Sequence, residues 1–247
     1  MNLPNFKQDY QRKIKNLLFS KSETSDIADV MSIAVGGEFE TMGYLEFQFL
    51  KQIGLNSNST IVDVGCGSGR LTKQLLNYLT TGKYIGFDVV PELFAYASNL
   101  CSNRDNFKIY EAPGLTIPEK DEFADYICFY SVLTHLTHKE SFLYLKDAKR
   151  VLKHDGKIVI SFLESIIPKH KKTFIQYVED NTDSAILNQF IERSNFKMWC
   201  ELLNLKIDRF YSGNTNYIEI DRHIKLKEHS FYHNCSLGQS VVVISKI

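Results

Sequence analysis

The run Ile-Val-Asp-Val-Gly-Cys-Gly-Ser-Gly-Arg, residues 61 to 70, constrains this chain more than any other stretch. Thr60 to Val64 is a nearly continuous apolar segment rich in β-branched residues, the pattern of a short strand buried on both faces. Three glycines then alternate with small residues, and Leu71, Leu75, Leu76 and Leu79 follow at helical spacing. The unit is strand, tight turn, helix. Glycine has no Cβ and tolerates positive φ, so such a turn lets the backbone approach a ligand closely. The first N–H groups of the helix point into the same space. Dinucleotide turns usually read Gly-x-Gly-x-x-Gly; here the spacing is Gly-x-Gly-x-Gly, with Asp63 two residues ahead of Gly65. A carboxylate at that place repels a pyrophosphate and suits an amine, so charge favours a ligand with an ammonium group and no phosphate.

The rest of the chain repeats the same alternation. Lys83 to Phe87 reads as a second strand ending in Asp88, with Pro91 opening a helix. Phe107 to Tyr110 and Asp125 to Tyr130 read as the third and fourth strands, Lys139 to Leu152 as a long helix, and Lys157 to Leu163 as the fifth strand. Strands alternating with helices imply crossover connections and a mainly parallel sheet. Ahead of them, Phe6 to Phe19 carries an apolar stripe of Tyr10, Ile14, Leu17 and Leu18, and Tyr44 to Ile53 reads as a second helix. Between these helices lie a polar stretch, Ser20 to Asp26, and the pair Gly36-Gly37. The expected organisation is an N-terminal helical cap over residues 1–52 and one domain over 53–247, with a helical insertion at about 166–204. Short helices are expected over His170 to Glu179 and Ile186 to Leu205. Lys206 to Tyr211 and Ser240 to Ser245 read as late strands, and Tyr217 to Leu226 as an added hairpin arm.

Three features together resemble the class I S-adenosylmethionine-dependent methyltransferases. They are the Val-Asp-Val-Gly-Cys-Gly-Ser-Gly run, Tyr84-Ile85-Gly86-Phe87-Asp88, and Val151-Leu152-Lys153-His154-Asp155-Gly156-Lys157. The last looks like the family's turn before the fifth strand, with Asp155 where glycine is common; Asp also tolerates turn geometry. The resemblance covers roughly Leu45 to Ile247. It implies an α/β, Rossmann-like fold with a seven-stranded, mainly parallel sheet whose last strand is antiparallel. It further implies S-adenosyl-L-methionine as cofactor and methyl transfer as the reaction. A non-catalytic cofactor-binding module on the same fold is the alternative, and an NAD-dependent oxidoreductase is a more distant one.

In an open α/β sheet, ligands bind beyond the carboxyl ends of the strands. That places the candidate cofactor residues. Asp88 can accept from both ribose hydroxyls, or can cap the helix opening at Pro91. Asp63 can hold the methionine amine, or can bind the N–H groups of the turn. Gly65, Gly67 and Gly69 line the turn, and Cys66 contributes its backbone. Val89 is expected on the adenine face, Ala112 at the adenine edge, and Tyr130 and Ser131 near the methionine moiety. A general base is required only where the acceptor carries a proton of high pKa. His135 and Glu164 are the candidates for it, each with a plain reading beside it: a capping or packing histidine and a surface carboxylate. His138 and His223 stand behind them. No His-Glu-x-x-His or comparable ligand spacing is present, so no metal is expected.

Composition narrows the partners. Lysine plus arginine and aspartate plus glutamate both number 29, so no global field draws the chain to nucleic acid or to an acidic membrane. No apolar segment is long enough to span a bilayer, and Met1 to Tyr10 lacks a signal-peptide core. Five scattered cysteines, an odd number without Cys-x-x-Cys, suit free thiols and a cytoplasmic protein. Phe129-Tyr130-Ser131-Val132 stands where amino-methylating DNA enzymes carry a proline-rich signature. The Ser-Val-Leu-Thr-His-Leu and Gly-Gln-Ser-Val-Val-Val-Ile stretches resemble bacterial small-molecule or surface-glycan methyltransferases. The expected reaction is O-methylation of a small-molecule or carbohydrate acceptor; oligomeric state is left open.

Overall fold

The structure, a computed structural model, describes residues 6–21, 26–179 and 188–247. In chain order the elements are α1 (Phe6–Lys21), α2 (Ile27–Ala34), α3 (Phe39–Gln52), β1 (Thr60–Val64), α4 (Arg70–Leu75), β2 (Lys83–Asp88), α5 (Pro91–Leu100), β3 (Phe107–Glu111) and β4 (Ala124–Phe129). A 3-10 turn at Leu133–His135 leads to α6 (His138–Val151), β5 (Leu152–Phe162), α7 (Pro168–Glu179), α8 (Arg193–Leu203) and β6 (Leu205–Tyr211). Four short strands, β7 (Ile218–Glu219), β8 (Ile224–Leu226), β9 (His229–Phe231) and β10 (Asn234–Cys235), precede β11 (Ser240–Lys246). The main sheet has seven strands in the order β3-β2-β1-β4-β5-β11-β6. This is the Rossmann-like arrangement expected from the sequence.

The chain resolves into two compact units. The second comprises Thr60–Gly65, Ala112–Thr215 and Gly238–Ile247. Within it β1 runs parallel to β4, with Asp63 opposite Cys128, and β4 runs parallel to β5. The last strand, β11, is antiparallel to both β5 and β6 and lies between them. The inner strands are dry: Ile61, Val62, Ile127, Cys128, Ile158, Val159 and Val242 are fully buried. That explains their nearly unbroken apolar runs. Strand β5 begins earlier than the sequence indicated. Leu152 pairs with Ala124, Lys157 pairs with Tyr126, and the register shifts between them. Lys153 to Gly156 is therefore a bulge at the head of β5. Lys153 Nζ holds both Asp125 carboxylate oxygens at 2.8 and 2.9 Å, and Thr60 N donates to the same group at 2.7 Å.

The first unit comprises Met1–Ser59, Cys66–Glu111 and Asn216–Leu237. Here β2 pairs in parallel with β3, from Tyr84 opposite Phe107 to Asp88 opposite Glu111. Ile14 of α1 and Met31 and Ala34 of α2 pack with Val90 and Leu93, where α5 begins. Helix α2 was not legible in the sequence. It has only eight residues, mostly apolar, so no stripe marks it; Asp26 caps it by accepting from Ala28 N. Helix α3 starts at Phe39, earlier than expected, and carries Gly43 in its interior. A Cβ at Gly43 would lie 2.5 Å from Arg70 O, so the glycine, unfavourable in a helix, permits α3 to approach the start of α4.

The expected arm after Tyr217 forms two small ladders, β7 with β10 and β8 with β9. It is tied to α3 through Asp221, which accepts from Tyr44 Oη at 2.6 Å and Gln48 Nε2 at 2.7 Å. Of the helical segment expected from 186 to 205, residues 186 and 187 lie outside the described residues; the helix itself is Arg193–Leu203.

Candidate active site

The glycine turn is built by backbone geometry. Gly65, Gly67 and Gly69 all have positive φ, at 71°, 56° and 93°. In the first unit, Cys66 N donates to Phe87 O at 2.9 Å, Cys66 O accepts from Gly69 N at 3.1 Å, and the Cys66 thiol packs on β2 at Gly86. Ser68 Oγ donates to Met31 O at 2.9 Å, joining the turn to α2. Arg70 Nη2 donates to Val35 O and, at 2.6 Å, to Gly37 O. That guanidinium thus holds the Gly36-Gly37 bend against the start of α4.

Asp88 is buried at the end of β2. Its Oδ2 accepts from Gly67 N at 2.8 Å and its Oδ1 from Val90 N at 2.9 Å. Burial pushes this carboxyl up to about 6, while the N–H groups of Val90, Gly67 and Val89 pull it back. Tyr10 of α1 lies within electrostatic reach of Asp88. Burial first, and the Asp88 charge second, raise its hydroxyl well above the ordinary tyrosine value, so it stays a neutral phenol. Gln11 Nε2 donates to Val89 O at 2.5 Å. Val89 is half-buried against the α1–α2 cluster. Sequence reasoning missed Tyr10 and Gln11, because nothing local to α1 marks where the helix will lie.

In the second unit, Asp63 is buried in β1, and the end of that strand meets the end of β4. A Cβ at Gly65 would lie 2.5 Å from Val132 Cγ2. Ala112 is buried just past β3, and Tyr130 is half-buried. Ser131 is exposed and adopts φ 58°, the left-handed region that costs an L-residue about 1 kcal/mol. Three bonds hold it there. Ser131 N donates to Ser161 Oγ at 2.7 Å, Ser161 Oγ donates to Gln239 Oε1 at 2.7 Å, and Gln239 Nε2 donates to Ser131 Oγ at 3.1 Å. Gln239 reaches this place only because β11 inserts beside β5. His135 follows in the 3-10 turn, half-buried, with its N–H bonded to Val132 O at 3.0 Å.

Glu164 does not have the setting expected of a base. It is buried and doubly engaged: Arg193 Nε donates to Oε2 at 2.8 Å, Arg193 Nη2 to Oε1 at 3.1 Å, and Ser240 Oγ donates to Oε1. Both oxygens of this carboxylate are thus committed to neighbours within the protein. His138 bonds Phe190 O at 3.1 Å and stacks edge-on against Trp199, and His223 stacks on Tyr232.

Comparison with known proteins agrees with this construction. Residues 62–160 match the protein family described as a methyltransferase domain. Over those residues the chain is similar to a methyltransferase domain. It is 25% identical over 170 residues to protein 235L of Invertebrate iridescent virus 6, which bears a methyltransferase name. That alignment covers 61% of this chain and 62% of the viral one, so the chain matches less than two thirds of that relative. The fold is similar to magnesium protoporphyrin IX methyltransferase from Synechocystis, solved with bound SAH. There the TM-score is 0.62 at 10% identity, and 98% of each chain is covered. It is also similar to a SAM-dependent methyltransferase from Methanosarcina mazei, at TM-score 0.56 and 15% identity over 80% of this chain and 97% of that one.

The residues present are compatible with S-adenosyl-L-methionine, the cofactor that the resemblance implies. A Cβ at Gly65 or Gly67 would clash with the protein's own side chains, at 2.5 Å with Val132 and 2.7 Å with Val35, so these glycines let the turn pack closely. A carboxylate has about four acceptor sites, and Asp88 fills three with backbone N–H groups, so a ribose hydroxyl can still be accepted.

Proposed function

We propose that this methyltransferase domain transfers a methyl group to an oxygen of a small-molecule or carbohydrate acceptor. S-adenosyl-L-methionine, when bound, supplies a methyl group on a cationic sulfur. Asp88 would accept from the ribose. Gly65, Gly67, Gly69 and the Cys66 backbone would border the cofactor, and Asp63 would attract its ammonium group. Val89 and Ala112 would border the adenine, and Tyr130 and Ser131 the methionine moiety. Residues 1–52 would act as a cap on the domain spanning 53–247, with about 166–204 as an insertion. Little charge develops that needs a dedicated partner, so alignment and exclusion of water can supply much of the rate.

An acceptor hydroxyl must lose its proton, and His135 is the proposed base. It lies just past β4, on the side where ligands bind in open α/β sheets. Glu164 is not given that role because Arg193 and Ser240 occupy its carboxylate.

The observation that carries this reading is the buried Asp88 carboxylate, held by Gly67 and Val90 at the end of β2. Calorimetry with S-adenosylhomocysteine tests it. Binding that is lost in Asp88→Ala supports the reading; absence of binding to the intact protein overturns it. Transfer of labelled methyl groups into fractionated cell extract then identifies the acceptor. If His135→Ala retains full turnover, the base lies elsewhere.

A further inference from the structure

The second unit contains an open cleft of about 510 Å³ beyond the carboxyl ends of β5 and β6. That volume falls within the roughly 300–1,000 Å³ of small-molecule sites. Because β11 is antiparallel to both strands, β5 and β6 are mutually parallel and deliver their ends to one side. The wall is Arg193 on Glu164. The guanidinium spends its Nε and one Nη2 proton on that buried carboxylate and lies over the Phe210 ring at 5.1 Å. Its Nη1 has no partner among the described residues, and neither do the Ser194 hydroxyl nor the Asn214 side-chain amide. Glu192 accepts from Ser165 N at 2.9 Å and keeps further acceptor sites. Ile166, which is 72% exposed, and Pro168 form an apolar side.

Charge selects among ligands. Two carboxylates, Glu164 and Glu192, face one guanidinium, so the cleft disfavours phosphate and carboxylate ligands. What remains are a fixed donor at Arg193, an exposed donor at Asn214, an acceptor at Glu192, and an apolar side. A polyol uses all of these at once, since each hydroxyl both donates and accepts and the ring carbons present an apolar face. We propose that this cleft binds a sugar, with vicinal hydroxyls set against Arg193 and Glu192 and the ring against Ile166 and Pro168. That the bound sugar is the methyl acceptor rests on the function proposed above; the binding itself does not.

The test is ligand-observed NMR on the full chain with S-adenosylhomocysteine present. The probes are methyl glycosides of hexoses and 6-deoxyhexoses, with inorganic phosphate and a simple diamine as controls. A glycoside should bind at millimolar concentration and phosphate should not. Asn214→Ala and Ser194→Ala, at exposed positions, should each weaken the sugar about fivefold, and Arg193→Lys more, with S-adenosylhomocysteine affinity unchanged. Binding of phosphate or diamine but no glycoside overturns the proposal, as does sugar binding indifferent to all three substitutions. If S-adenosylhomocysteine binds and no sugar does, the cleft assignment fails while the methyltransferase reading stands. If sugar binds in the cleft but S-adenosylhomocysteine does not bind at all, the converse holds.

Discussion

Asp88 concentrates opposing demands in one side chain. Burial favours its neutral form, whereas ribose hydroxyls are donors and need the carboxylate. Its folded value, about 6, lies above the ordinary 3.8. The folded state therefore holds more protons than the unfolded one between those values. Without ligand, stability should fall as pH rises through that window, by at most about 3 kcal/mol. Cofactor binding should run the other way and weaken about tenfold for each pH step below 6. Calorimetry with S-adenosylhomocysteine from pH 5 to 8 checks this; in Asp88→Asn the pH dependence should flatten. Gly67 makes a second demand. Alanine there meets both a φ of 56° and a Cβ contact of 2.7 Å with Val35, so Gly67→Ala should cost roughly 1–3 kcal/mol in urea denaturation. Glu164 is a residue whose chemistry the chain order misrepresents. Its position after β5 looks catalytic, yet its partner Arg193, 29 residues on, ties the buried carboxylate into an ion pair.

At the scale of elements, the N-terminal helices and the arm are the parts whose placement has consequences. Helix α1 bears directly on Val89 and Asp88 through Gln11 and Tyr10. Ile14, nearly fully buried, is its anchor in the cluster with Met31, Ala34, Val90 and Leu93. Ile14→Ala should cost about 2–4 kcal/mol locally and speed hydrogen exchange in α1 and at Val90, while β4 and β5 remain protected. The arm depends on Asp221. Its carboxyl is held below the ordinary range, first by Tyr44 and then by Gln48 and Lys51. A depressed carboxyl stabilises above its unfolded value and loses that contribution as pH falls through the folded one. The arm should therefore become protease-sensitive in acid, and Asp221→Asn should show the same sensitivity at neutral pH.

For the molecule as a whole, occupancy of one site should be visible in global stability. A ligand at a hundredfold excess over its Kd adds about 2.7 kcal/mol, which for a chain of this size raises the melting midpoint by roughly 5–10 °C. S-adenosylhomocysteine should produce that rise in the intact protein and none in Asp88→Ala; an unmoved midpoint in both contradicts the site. Among the described residues no helix is long and apolar enough to cross a membrane. The sequence alone determined the positions of β1 to β4, the three left-handed glycines and Asp88 at a strand end. These signals are carried by neighbours within a few residues: apolar runs, helical spacing, and backbone angles only glycine adopts without strain. Tertiary structure alone decided that Gln239 holds Ser131 across 108 positions and that Asp221 anchors the arm to Tyr44 across 177. It alone decided too that α1 covers Asp88 and that Glu164 is paired. Those contacts follow from which faces of distant elements bury one another, and no local pattern encodes them.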